Sequence, residues 1–324
     1  MGNVLDNEKS FQITKDFTFC QNLSHRQLGN IKIHEYKENK KIRVFEIHLG
    51  TTSKQEMDNY CKRFENRKQW KNANLVRLLH FHENSNSMMC ADVSQAIIIG
   101  EYYQMTLNSE AEQNFTQSFM FNESRLWLIA YQIVSACAFL EEKGMHHGEL
   151  KTQTIYLDES ENIKLIEHSF LPNHPDAYSK AFILDEFHLL PPEQLEELKQ
   201  SIPASQKSGV KGDVFTLGLI LLELAAQQSS SAYYNWQKKV VDLEQVKKMC
   251  DMLLCLGYSS IFQKLILQMI EECEKRPTFV VIRDGLQRLE KDILGGIQFY
   301  KNHIKQEKMN EANKKQFQTF GQKM

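Results

Sequence analysis

An α+β chain, strand-rich in its first third and helical beyond, is the class that this sequence predicts. Three observations predict it. From Phe17 to His48 apolar residues tend to alternate with polar ones, the period of a half-buried strand. Leu126, Ile129, Ile133, Cys137 and Leu140 recur at steps of three and four, the spacing of one buried helical stripe. Leu217 to Ala225 is apolar nearly all round, which places that helix inside the larger unit. Strands that precede helices, instead of alternating with them, give the α+β order. A length of 324 residues is long for one core and typical of two lobes.

The elements follow in order. Residues 1–12 are a polar lead-in. Ile31 and Ile33, then Val44, Glu46 and His48 on one face against Phe45 and Ile47 on the other, read as a hairpin around the charged turn Lys37 to Lys41. Ser53 to Lys71 is strongly polar with thinly spaced apolar residues, fitting one surface helix. Gly144 ends the stripe from Leu126 to Leu140 through a left-handed cap. After Leu294 come Gly295-Gly296 and a Lys-, Gln- and Asn-rich tail to Met324. There is no internal repeat.

Composition excludes several function classes. A net charge of −2 gives no electrostatic case for binding nucleic acid. The seven cysteines are scattered and never in CxxC spacing, which argues for a reducing compartment and against structural zinc. His146 and His147 are adjacent without a cluster of further ligands, so packing, not metal binding, is expected of them. The longest apolar run, Leu217 to Ala226 interrupted by Glu223, is too short to span a bilayer, and the first residues lack a signal-peptide core. Gly2 follows the initiator, but Asp6 stands where an acylation motif wants Ser or Thr, so an unmodified terminus is expected. A cytoplasmic protein is the expectation.

The most informative stretch is His147-Gly148-Glu149-Leu150-Lys151-Thr152-Gln153-Thr154, followed by Glu167-His168-Ser169. These resemble the catalytic loop HRDLKxxN and the metal-binding DFG turn of protein kinases. The resemblance runs in family order over about 13 to 292. LSHRQLGNI from Leu23 to Ile31 sits at the glycine loop, and Asn72 to Leu79 resembles HPNIVxLL. Ile97 to Tyr103 resembles the strand entering the hinge, Leu190-Pro191-Pro192-Glu193 the APE element, Gly212 to Gly218 the DVWSLG helix, and Lys275 to Phe279 the KRPTF close. The resemblance implies a bilobal fold: a small β-rich lobe with one main helix over 13–103, a larger helical lobe over 104–292, and the tail 293–324.

Nearly every phosphate-handling position departs from the pattern. Ser24, Arg26 and Gly29 stand where three glycines would let backbone amides approach phosphates. The lysine position falls on Glu46 and its helix partner on Arg63, implying a charge-reversed bridge; a shift of one residue would leave Ile47 at the site, and neither register supplies a lysine. Val44 and Tyr156 fall at the roof and floor of the adenine site, either filling it or packing as ordinary core residues. Glu149 replaces the catalytic aspartate, and its extra methylene displaces the group by more than ~1 Å, enough to cost on the order of a hundredfold in rate. Lys151 is intact, Thr154 replaces a metal-ligating asparagine, Glu167 replaces the metal-binding aspartate, and Gly148 removes the arginine that reads a phosphorylated activation segment. Asp213 resembles the aspartate that holds the catalytic-loop backbone, Glu193 with Arg276 the ion pair of the large lobe, and His147 the structural histidine of the loop.

The resemblance therefore implies a pseudokinase: an interaction scaffold with no catalytic, nucleotide or metal site. Two alternatives stand beside it. One is an atypical protein kinase with Glu149 as base and Glu167 as ligand to the magnesium of Mg-ATP; the other is an ATP-binding switch without turnover. Residues 297–324 carry sparse apolar anchors, among them Ile297, Phe299, Tyr300, Phe317 and Phe320, on a Lys-rich strand. That suits docking onto an acidic protein surface, with a larger cytoskeletal or ciliary assembly as the expected setting.

Overall fold

A computed structural model of the chain describes residues 13–25, 29–51, 53–88, 91–167, 169, 182–184, 189–200 and 206–288. Residues 1–12, Arg26, His168 and the tail 293–324, on which expectations were placed, lie outside the described residues. A short helix α1 (Ile13–Asp16) leads into β1 (Phe17–His25), β2 (Gly29–Tyr36) and β3 (Arg43–Thr51). Helix α2 (Lys54–Lys68) follows, then β4 (Leu78–Met88) and β5 (Ala91–Tyr102). The five strands form one antiparallel sheet in the order β1-β2-β3-β5-β4. Ser53 starts α2 by accepting the Glu56 amide at 3.3 Å, a cap without which the polar segment would lack a defined beginning.

The second lobe begins with β6 (Met105–Thr106), α3 (Leu107–Thr116) and α4 (Glu123–Glu142). It continues through β7 (Ile155–Leu157), β8 (Ile163–Leu165), α5 (Pro192–Lys199) and α6 (Gln206–Ala226). After a 3-10 turn (Ser230–Tyr233) come β9 (Tyr234–Asn235), β10 (Val240–Val241), α7 (Leu243–Cys255), α8 (Ser260–Met269) and α9 (Phe279–Arg288). Asn122, Asp242 and Ser259 cap α4, α7 and α8, and Gly144 takes φ +73° beyond the end of α4.

The buried stripe of α4 and the all-round apolar α6 share one core, in which Leu126, Ile133, Leu140, Leu217 and Leu221 are all fully buried. The lobes meet where the β8 backbone runs beside residues 74–76. Val76 donates to the Leu165 carbonyl at 2.9 Å and Leu165 donates to the Asn74 carbonyl at 2.8 Å. This bridge fixes the residues after β8 against the small lobe. Among the described residues no helix is long and apolar enough to cross a membrane.

Candidate functional site: a kinase-type interlobe cleft

The loop between α4 and β7 is held from below. Asp213 of α6 accepts the His147 amide at 2.6 Å and the Gly148 amide at 3.0 Å. One buried carboxylate thus pairs two consecutive backbone donors that would otherwise be orphaned. Gly148 has φ +77°, a conformation that costs a residue with a Cβ about 1–2 kcal/mol. The His147 ring accepts the Glu149 amide through Nδ1 at 3.2 Å. Burial pushes this imidazole down from its ordinary value, against the pull of Asp213, Glu149 and Glu167.

Glu149 is buried and lies 3.1 Å from the Lys151 ammonium, so these two loop charges face each other. The Thr154 hydroxyl turns back into the loop, donating to the carbonyls of Glu149 at 2.8 Å and Lys151 at 3.1 Å. At the large lobe's base Arg276 pairs with Glu193 and also donates to the Lys211 and Glu271 carbonyls, each at 2.8 Å, with its guanidinium over Phe215.

Glu167 is fully buried, and Arg67 of α2 donates to it through Nε. Arg67 also donates to the Val76 carbonyl at 2.7 Å and lies over Trp70. The Ser169 amide donates to the second carboxylate oxygen at 2.6 Å. Burial alone would raise the Glu167 pKa, but the Arg67 charge and these hydrogen bonds outweigh it and lower it. The helix cation that meets the interlobe cleft is therefore Arg67, one turn beyond the expected Arg63.

The expected Arg63–Glu46 bridge is not formed. Arg63 lies on the exposed side of α2. Glu46 points to the sheet face away from the cleft, where Lys32 lies at 3.3 Å, His34 at 3.1 Å and His48 in close contact. Burial would raise the Glu46 carboxyl, yet hydrogen bonds and charge from His34 and His48 outweigh it and hold the pKa at about 2.

The physical reason is register. Side chains alternate along a strand, and Phe45 and Ile47 join Phe64 of α2, Val76, Ile98 and Ile166 in the apolar cluster facing the cleft. Val44, for which the sequence left open the adenine site or ordinary core packing, packs in the core of the other face with Phe17, Leu79 and Ile99. So Phe45 and Ile47, and not Val44 and Glu46, are the β3 side chains packed toward Phe64 of α2 and Ile166 after β8.

Phe45 reaches into space released by Gly100 at the end of β5: a Cβ on Gly100 would lie 2.3 Å from the ring. From below, Tyr156 packs against the same cluster and meets Tyr102 edge-on at 5.7 Å. Burial raises its hydroxyl to about 12. At the glycine loop, Ser24 is exposed and pairs with Asn30, and Gly29 takes φ +73°. The loop between them includes the undescribed Arg26.

Sequence reasoning missed Arg67, Phe45, Gly100 and the histidines around Glu46. A polar helix gives no sign of which cation turns inward, although the i, i+3/i+4 row Met57, Tyr60, Phe64, Arg67 was available to find it.

This geometry is that of a family. A family model described as "Protein kinase domain" matches residues 18–286, and the chain belongs to that family. It is 26% identical over 207 residues to a TBC domain-containing protein kinase-like protein of Dictyostelium discoideum, covering 61% of this chain and 18% of that protein. It is 23% identical over 258 residues to the serine/threonine-protein kinase VHS1 of Saccharomyces cerevisiae, covering 69% of this chain and 54% of that protein. Similarity to the eIF-2-alpha kinase GCN2 of Homo sapiens, 25% over 165 residues, covers 44% of this chain and 9% of that protein. The chain thus spans about half or less of the curated relatives it matches.

Proposed function

We propose that this chain is a catalytically inactive kinase-like domain that serves as a protein-interaction module in a larger assembly. The observation that carries the reading is the Arg67–Glu167 ion pair. A divalent cation at Glu167 would have to displace a buried guanidinium and leave it unpaired, a loss of about 3–5 kcal/mol before any gain from coordination.

The surrounding residues point the same way. Ile47 offers phosphates no ammonium, Phe45 and Tyr156 take up roof and floor, and the Thr154 hydroxyl is turned to loop carbonyls. These residues do not fit a magnesium–nucleotide complex. The parts that do no chemistry are kept: Asp213 under the loop, and Glu193 with Arg276 at the base of the large lobe. A fold that keeps its platform and loses its phosphate handling supports binding rather than turnover. Its partners are proteins met through the large lobe and the tail, not nucleic acid.

Incubation of the purified protein with radiolabelled ATP, Mg²⁺ and generic protein substrates should give no incorporation into itself or them. Incorporation that disappears in Glu149→Ala would overturn the proposal in favour of an atypical kinase.

A further inference from the structure

At the base of the large lobe, α4, α8 and α9 leave an open groove of about 470 Å³. Its floor is the buried Trp127 and Leu265, and its rims are Ile261 and Val281, which are 50% and 60% exposed. Nothing in the interlobe cleft or the loop network accounts for two large apolar side chains set out in this way.

Gly285 lines the same groove, in the middle of α9, and a Cβ there would meet nothing within 4 Å. Glycine inside a helix costs about 1 kcal/mol relative to alanine. Here packing within the described chain does not require the missing side chain. A backbone notch beside an apolar rim suits a segment that must approach the helix closely.

The occupant is argued from where the chain goes next. Arg288, the last described residue of α9, itself lines the groove. The sequence that follows reaches Ile293-Leu294-Gly295-Gly296-Ile297-Gln298-Phe299-Tyr300, a run without a charge between Asp292 and Lys301. The eight residues 289–296 span up to about 26 Å when extended. From Val281 to Arg288 the helix rises only about 10 Å. The glycine pair supplies the conformational freedom for a reversal, so the linker is long enough to bring Ile297 and Phe299 back along α9.

We propose that residues 293–300 dock in cis into the groove between α4, α8 and α9, seating Ile297 and Phe299 between Ile261 and Val281 over Gly285. The Lys-rich remainder, 301–324, is then the portion presented to a partner. This inference does not depend on whether the cleft is catalytically active.

Hydrogen exchange on the full chain tests it by two routes. Peptides covering 297–300 should be protected at a level independent of protein concentration. The full-chain double variant Ile297→Asp/Phe299→Asp should speed exchange of 261–268 and 281–288 by about tenfold, the equivalent of ~1.4 kcal/mol of local stability. Gly285→Leu, which fills the notch, should release the protection of 297–300 while leaving the Leu126–Leu140 helix unaffected. Unprotected 297–300 in the wild-type chain would overturn the proposal, as would groove helices indifferent to the double variant. Protection that fades on dilution would also overturn it, by assigning the groove to a second copy.

Discussion

Removing Arg67 is the perturbation that separates a buried structural pair from an accidental contact. The Arg67 and Glu167 side chains are 4% and 0% exposed, so Arg67→Ala removes the counter-charge that the described residues place on Glu167 and leaves it bonded to Ser169. It also orphans the Val76 carbonyl from its 2.7 Å donor. Breaking one side of a buried pair costs about 3–5 kcal/mol, whereas replacing both partners with apolar residues of similar volume is near neutral or stabilising. Arg67→Ala should therefore be severely destabilising, and Arg67→Met/Glu167→Leu should recover most of the loss.

The pH dependence has a definite sign. In the wild type Glu167 has a lowered pKa, so its contribution is complete above the unfolded value and is lost as pH falls. Without Arg67 burial raises the folded pKa, and the variant's deficit must then grow as pH rises through the unfolded carboxylate range. Urea denaturation by circular dichroism and Trp fluorescence, at pH 7 and near pH 4, measures both effects. An Arg67→Ala cost below about 1 kcal/mol, or additive effects in the double variant, would show that Arg67 and Glu167 do not act as a buried ion pair.

Two further predictions concern the small lobe. With Glu46 held at about 2 against an ordinary 4.5, its contribution of up to about 3 kcal/mol is present above pH 4.5 and lost toward pH 2. The stability gap between wild type and Glu46→Gln should close over that window, and a gap independent of pH would argue against the His34–Glu46–His48 cluster. Gly100→Leu should overpack against the Phe45 ring and cost about 1–3 kcal/mol. Combined with Phe45→Ala it should instead fill the cavity that the single Phe45→Ala creates; additive losses in melting measurements would show that the two positions do not share space.

The order of strands and helices was legible because periodicity is a local property: α4 and α6 read directly from their apolar spacing. The loop anchors were legible through motif position, since Asp213 and the Glu193–Arg276 pair sit where the family order puts them. The register of β3 was not. Val44, Phe45, Glu46 and Ile47 are all buried, so the strand is covered on both faces and alternation gives no parity. Glu46 defeats the usual rule that a charge marks the solvent face, because His34 and His48 cover it. Arg67 and Glu167 are 100 residues apart, and no local pattern reports a partner at that distance. The exchange of volume between Phe45 and Gly100 is equally non-local, joining β3 to the end of β5.

Whether apolar packing and a buried ion pair have replaced the nucleotide site is decided by a thermal-shift titration with ATP, with and without Mg²⁺. A ligand present at a hundred times its Kd adds about 2.7 kcal/mol, which for a domain of this size raises Tm by several degrees. No shift is expected at millimolar ATP in either condition. A shift that requires Mg²⁺ would contradict that expectation by showing a working metal–nucleotide site. A shift without metal would contradict it by showing a cleft that still holds the nucleotide.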